Sequence, residues 1–159
     1  MWVPFDQLPS TARLWIFTSP SPLDTANIQP PLQEFVRTWT AHRQDLLASA
    51  WVYDDYFILL AVDEAQTSAS GCSIDKATHF VQDLGQSLNL NFLEKRRYFY
   101  RNGDQPIQVI DHQAMQAAVA DGMVAETTLV ADTLLTKVGD LDRLWLPFGQ
   151  SWHRRLFVR

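Results

Sequence analysis

The sequence predicts an α+β fold: a ferredoxin-like split βαβ core, an antiparallel sheet with two helices on one face, with an added hairpin strand and C-terminal segments. Three observations predict it. Through Arg101 the residue patterns run strand, helix, strand, strand, helix, strand, which is the split βαβ order. Tyr56 to Val62 is continuously apolar, as a strand covered on both faces should be. Two segments carry apolar residues at helical spacing, Leu32, Phe35, Val36 and Trp39 in one and Ile74, Ala77, Val81, Leu84 and Leu88 in the other. The chain of 159 residues is long enough for one domain with a core and short for two, so 1–159 reads as a single domain.

Residues 1–12 form an irregular arm, because Pro4 and Pro9 interrupt regular structure; Trp2 and Phe5 pin it to the body. Arg13 to Thr18 is the first strand, rich in bulky β-formers. Pro30-Pro31 starts the first helix, where missing amides cost least. His42, three residues beyond Trp39, falls near that helix's C-terminus, where the dipole favours a cation. Leu47 to Tyr53 and Tyr56 to Val62 are the second and third strands around an Asp54-Asp55 turn. Asp63-Glu64 ends the third strand. The second helix runs from about Ser73 to Leu88, with Ser70 or Ser73 as N-cap and Asn89 as terminator.

Phe92 to Arg101 is the fourth strand. Asn102-Gly103 predicts a type I′ turn, because both residues tolerate positive φ, and Gln105 to Asp111 returns as a fifth strand. His112 to Ala120 is a short helix ended by Asp121-Gly122. Thr127 to Lys137 is compatible with extended or helical backbone. Leu144, Trp145, Pro147 and Phe148 pack on the body, and Ser151-Trp152-His153-Arg154-Arg155 is a docked tail.

Composition excludes several classes. Six tryptophans and an ordinary apolar fraction argue for a folded chain. A formal net charge of -5 makes a nucleic-acid partner unlikely by charge alone, since such surfaces are basic. The ribbon Lys95-Arg96-Arg97-Tyr98-Phe99-Tyr100-Arg101 has the residue types that stack bases, but its plainer reading is an edge hairpin guarded by charge. No run is long enough to span a membrane and no signal peptide stands at the start. One cysteine forms no internal disulfide, and the expected location is the cytoplasm. Four scattered histidines and one cysteine make no metal site, and no cofactor motif is present.

The stretch that concentrates chemistry is Ala69-Ser70-Gly71-Cys72-Ser73-Ile74-Asp75-Lys76. A helix N-terminus holds unpaired amides and favours anions. Gly71 lets a ligand approach the backbone, and Ser70, Ser73 and Lys76 supply polar groups. The same field favours a nucleophilic Cys72, and His42 would be its base. Split βαβ connectivity brings Arg13, His42, Arg43, Asp63 and Glu64 to the same end of the sheet. Ligand-binding candidates are therefore Ser70, Gly71, Cys72, Ser73, Lys76, Arg13 and Asp63, with Cys72 and His42 the catalytic candidates. The stretch is not G-x-x-x-x-G-K-S/T, because Lys76 has no second glycine before it.

Val62-Asp63-Glu64, Ala69 to Lys76, Trp39-Thr40-Ala41-His42 and Ser151-Trp152-His153 resemble a family of uncharacterised small Bacteroidetes proteins often labelled "ABC transporter ATPase". The resemblance spans most of the chain and implies a bacterial protein. The ATPase label requires a Walker A loop, which the chain lacks. Two functional readings follow. One is a non-enzymatic module that binds a partner or assembles as a homo-oligomer, in keeping with its tryptophan content. The alternative is a small-molecule site for an anion or phosphate, or a thiol-dependent enzyme, at the Ser70–Lys76 helix start.

Overall fold

The computed structural model describes residues 1–158. They form two compact units, Met1–Leu93 with Leu135–Leu141, and Glu94–Leu134 with the residues from Asp142 onward. Helices and antiparallel sheets make the protein α+β, as its sequence predicts. Among the described residues no helix is long and apolar enough to cross a membrane.

In the first unit the elements are β1 (Arg13–Thr18), α1 (Thr25–Arg37), the two-residue strands β2 (Thr40–Ala41) and β3 (Gln44–Asp45), β4 (Leu47–Tyr53), β5 (Phe57–Asp63) and α2 (Gly71–Ser87). The main sheet has the order β1-β5-β4, antiparallel throughout, with Leu59 of β5 opposite both Ile16 and Trp51. Strands β1 and β4 therefore run parallel on either side of β5 and are joined through α1, which is the split βαβ unit. Asp54 and Asp55, at φ 50° and 61°, make the tight turn between β4 and β5. Ile58, Leu60 and Val62 share one core with Ile28, Leu32 and Val36 of α1 and Ala77 and Val81 of α2. Both helices thus feed the same core against alternate residues of β5.

Both edges of this sheet are closed. Along β4, the Met1 nitrogen donates to Leu46 O at 2.7 Å, Ala48 N to Met1 O at 3.0 Å and Val3 N to Ala48 O at 2.9 Å. Farther along, the Gln29 carboxamide stands in for a strand: its Nε2 donates to Ala50 O at 2.7 Å and its Oε1 accepts from Val52 N at 3.2 Å. Along β1, Leu14 N donates to Thr136 O at 2.9 Å and Thr18 N to Phe92 O at 3.3 Å. The arm is pinned as expected, with Trp2 bridged to Ala48 and the Phe5 ring 3.9 Å from that of Trp51.

The second unit contains β6 (Arg97–Arg101), β7 (Gln108–Asp111), α3 (His112–Ala120), β8 (Leu129–Ala131), β9 (Trp145–Pro147) and α4 (His153–Phe157). Its sheet has the order β7-β6-β8-β9. Asp111 ends β7 and caps α3, accepting from Ala114 N at 2.8 Å. Tyr98, Tyr100, Met115, Val124, Val130 and Phe148 form the core.

Three local expectations are corrected. The fourth strand does not complete a ferredoxin-like sheet: β6 pairs with β7 and β8. Phe92 is buried in the first unit's core, and the chain then turns, with Leu93 N bonded to Asn91 Oδ1 and Arg96 N to Glu94 Oε1, so the strand starts only at Arg97. The first helix begins before its prolines: the Asp24 carboxylate caps it by accepting from Ala26 N at 3.1 Å, and Ile28 adds a buried turn ahead of Pro30 and Pro31. The Asn-Gly pair makes no two-residue turn. Only Gly103 has positive φ, and the Asn102 side chain is occupied, donating to Met123 O and accepting from Thr128 Oγ1.

Candidate functional site

Helix α2 begins at Gly71, ahead of the expected start at about Ser73. Ser70 is the N-cap, its Oγ accepting from Ser73 N at 3.2 Å while Ser73 Oγ donates to Ser70 O at 2.7 Å. Ser73 is buried, and its carbonyl accepts from Trp39 Nε1 at 2.8 Å. Ser73 thus serves the helix and the core and offers nothing outward. Gly71, Cys72 and Lys76 are exposed, and the space where a Gly71 side chain would stand is open.

The sheet end gathers some of the expected neighbours. Glu64 Oε2 accepts from Ala69 N at 2.9 Å, and its other oxygen lies 3.8 Å from Arg13 Nη1. Arg13 also lies over the Trp15 ring at 4.8 Å. Asp63 Oδ1 accepts from Ala65 N at 3.0 Å, a local turn bond. Arg13 and Asp63 are therefore engaged in holding the 63–70 connection, with Glu64 as the hub.

His42 is a correction. Helix α1 stops at Arg37, and Thr38 Oγ1 turns back to Phe35 O. His42 and Arg43, at φ 52° and 64°, form the tip of the β2–β3 ribbon, so His42 is exposed on a hairpin and not on a helix C-terminus. The ribbon is tied to the connection after β5 by Thr67 Oγ1 donating to Gln44 Oε1 at 2.8 Å. Among the described residues His42 and Cys72 share no hydrogen bond, so the thiol–imidazole pair is not assembled. A cleft of about 230 Å³ on this unit lies elsewhere, lined by Gln82, Gln86, Leu90, Asn91 and Phe92.

The second unit holds a polar aromatic cluster that sequence reasoning missed. Ser151 Oγ lies 2.6 Å from His153 Nδ1, a hydrogen bond in either tautomer, and both residues are buried. The Trp152 indole stacks on the imidazole at 3.8 Å and 20°, and its Nε1 donates to Asp132 Oδ1 at 3.0 Å. Tyr98 meets His153 edge-on at 5.9 Å, and its hydroxyl lies 3.0 Å from His112 Nδ1. Phe157 closes the group against Tyr98 and His112. Burial pushes the His153 imidazole down to about 4, with the Asp132 carboxylate opposing, and pushes the Tyr98 phenol up, with Arg96 opposing. His153 is therefore neutral at neutral pH.

Ser151 and His153 are only 7% and 3% exposed, so this hydrogen bond joins packed groups shielded from any substrate. In the basic-aromatic ribbon Tyr98, Phe99 and Tyr100 are buried, and the Arg101 guanidinium lies over the Trp145 ring at 4.5 Å. Among the described residues no three His, Cys, Asp or Glu side chains converge as a metal set. Ser151-Trp152-His153 lies in the segment expected as a docked tail, but its convergence with Tyr98, His112 and Asp132 is a product of the fold. No family model, curated protein or solved structure matches the chain.

Proposed function

We propose that the protein is a non-enzymatic binding or assembly module of the bacterial cytoplasm, related to the small Bacteroidetes family by the residues quoted above and without that family's ATPase label. One observation carries the reading, the exposure of two large aliphatic side chains, Leu134 and Leu156, on either side of Trp152 in the chain. Asp132 Oδ1 accepts from both Leu134 N and Trp152 Nε1, each at 3.0 Å, which draws those two residues together. Leu156 lies one helical turn beyond Trp152. Leu134 and Leu156 are 66% and 51% exposed, and Trp152 is half-buried. The engagement of Ser73, Glu64, Arg13 and Asp63 in local structure is consistent with a role without chemistry.

Sedimentation across a wide concentration range tests this reading. The expected result is a mass that rises with concentration in the native chain and stays monomeric in the Leu134→Asp, Leu156→Asp double variant. A strictly monomeric native chain at high concentration counts against self-assembly, and an unchanged association in the double variant removes the patch from it.

The alternative, an anion site at the start of α2, is favoured by one feature: Gly71, Cys72 and Lys76 are exposed around an open helix start. Its test is thermal stabilisation by inorganic phosphate, lost in Lys76→Ala; no shift at high phosphate ends that reading.

A further inference from the structure

The cluster around His153 does no work in either functional reading, yet it is built to keep a titratable group away from water. We propose that α4 is an acid-released latch: His153 holds it docked while neutral, and protonation of the imbedded imidazole undocks it from α3 and β6. The inference does not depend on the assembly reading.

The geometry makes docking conditional on charge. The docked imidazole is 3% exposed, covered on one face by Trp152 and met edge-on by Tyr98, and its Nδ1 is committed to Ser151. A neutral ring with one bonded nitrogen suits such a site. An imidazolium does not, because it would carry a charge out of water with a hydroxyl and two ring faces around it.

The helix is short enough to lift as a unit. It spans five residues, below the length at which a helix holds itself in water, so it stays folded through what it packs against. Its anchors are His153, Trp152 through Asp132, and Phe157 against Tyr98 and His112. The other charged groups facing it are few. Asp132 attracts the proton, Arg154 and Arg155 on the helix are exposed to solvent, and Glu126 pairs with Arg154 at 3.0 Å on the exposed side. His112, across the Tyr98 ring, is only half-buried, and His153 is the buried imidazole of the two.

The docked form disfavours the proton and the lifted form accepts it near 6.5, so docking is complete above that pH and weakens as pH falls toward about 4. Two protonation constants that far apart imply an open population rising about fifty-fold between neutral pH and a pH half a unit above the lower constant.

Hydrogen exchange resolved by residue reads this directly. The amides of Arg154, Arg155 and Val158 are bonded to Ser151 O, Trp152 O and Arg154 O. After correction for intrinsic exchange, their protection should fall about fifty-fold over that interval, ahead of the amides of β6 and β8. His153→Gln should abolish the dependence, while His112→Gln and Glu126→Gln should retain it. If His153→Gln does not fold, the native chain decides: loss of α4 protection that follows the His153 imidazole titration while β6 and β8 stay protected supports the latch. A midpoint at or above 6.5, pH-independent protection of α4, loss of α4 and β6 protection in step, or an unchanged response in folded His153→Gln overturns it.

Discussion

The two units reach a buried core by different chemistry. In the first, Ile28, Leu32, Val36, Ile58, Leu60, Val62 and Val81 meet across a helix–sheet interface with no titratable side chain among the buried residues. In the second, the buried set includes Tyr98, Tyr100 and His153. A core without titratable side chains gains stability from area removed from water and is indifferent to protons. A core that holds His153 also depends on the neutral state of that imidazole. The difference shows that one short chain can carry an unconditional core beside a conditional one.

The largest expected effect probes the unconditional side. Leu60→Ala opens a cavity at a fully buried position and should cost about 3 kcal/mol, measured by urea unfolding, with the same loss at neutral and mildly acidic pH. A pH-dependent loss would break the contrast. The conditional side should lose a comparable amount without any mutation. Because the His153 constant is about 4 in the folded protein and 6.5 unfolded, the unfolded chain binds the proton first. Its contribution is fully present above 6.5 and falls as pH drops toward about 4, by up to about 3 kcal/mol. Denaturation monitored at residues of the second unit, repeated across that window, measures it; a flat profile would erase the distinction between the cores.

Smaller effects sharpen the picture at the start of α2. Ser70→Ala removes the side-chain cap and should cost about 1 kcal/mol, read as a shift in the urea midpoint. Arg13→Ala breaks a partly exposed ion pair at 3.8 Å and should cost under about 0.5 kcal/mol. A larger loss on removing Arg13 would mean that Glu64 depends on it to hold the connection after β5.

What the sequence disclosed follows the same division. The amphipathic periods of α1 and α2, the apolar run of β5, the Asp54-Asp55 turn and the Ser70 cap are local signals, and each was legible. The second unit is written in contacts between distant residues, such as Tyr98 with His112 and Trp152 with Asp132, which no spacing reveals. Errors arose where a local signal had two uses. Asn102 suggests a turn but spends its side chain on Met123 and Thr128. Pro30-Pro31 suggests a helix start, yet Asp24 caps six residues earlier and the prolines ride inside. At the candidate site, the Arg13, Glu64 and Ser70 neighbourhood was inferable from connectivity, whereas the displacement of His42 to a hairpin tip depends on the short β2–β3 ribbon, which has no apolar pattern to announce it.

The Gln29 carboxamide gives the first sheet an unusual kind of border. A strand finished by another strand is protected by many residues at once, so no single replacement reopens it. Between Ala50 and Val52 the protection is one side chain thick. Loss of that amide would leave one acceptor, Ala50 O, and one donor, Val52 N, without that partner on the sheet edge, where another chain could align. The boundary between a finished sheet and one that keeps recruiting strands is therefore encoded, along this stretch, in a single codon.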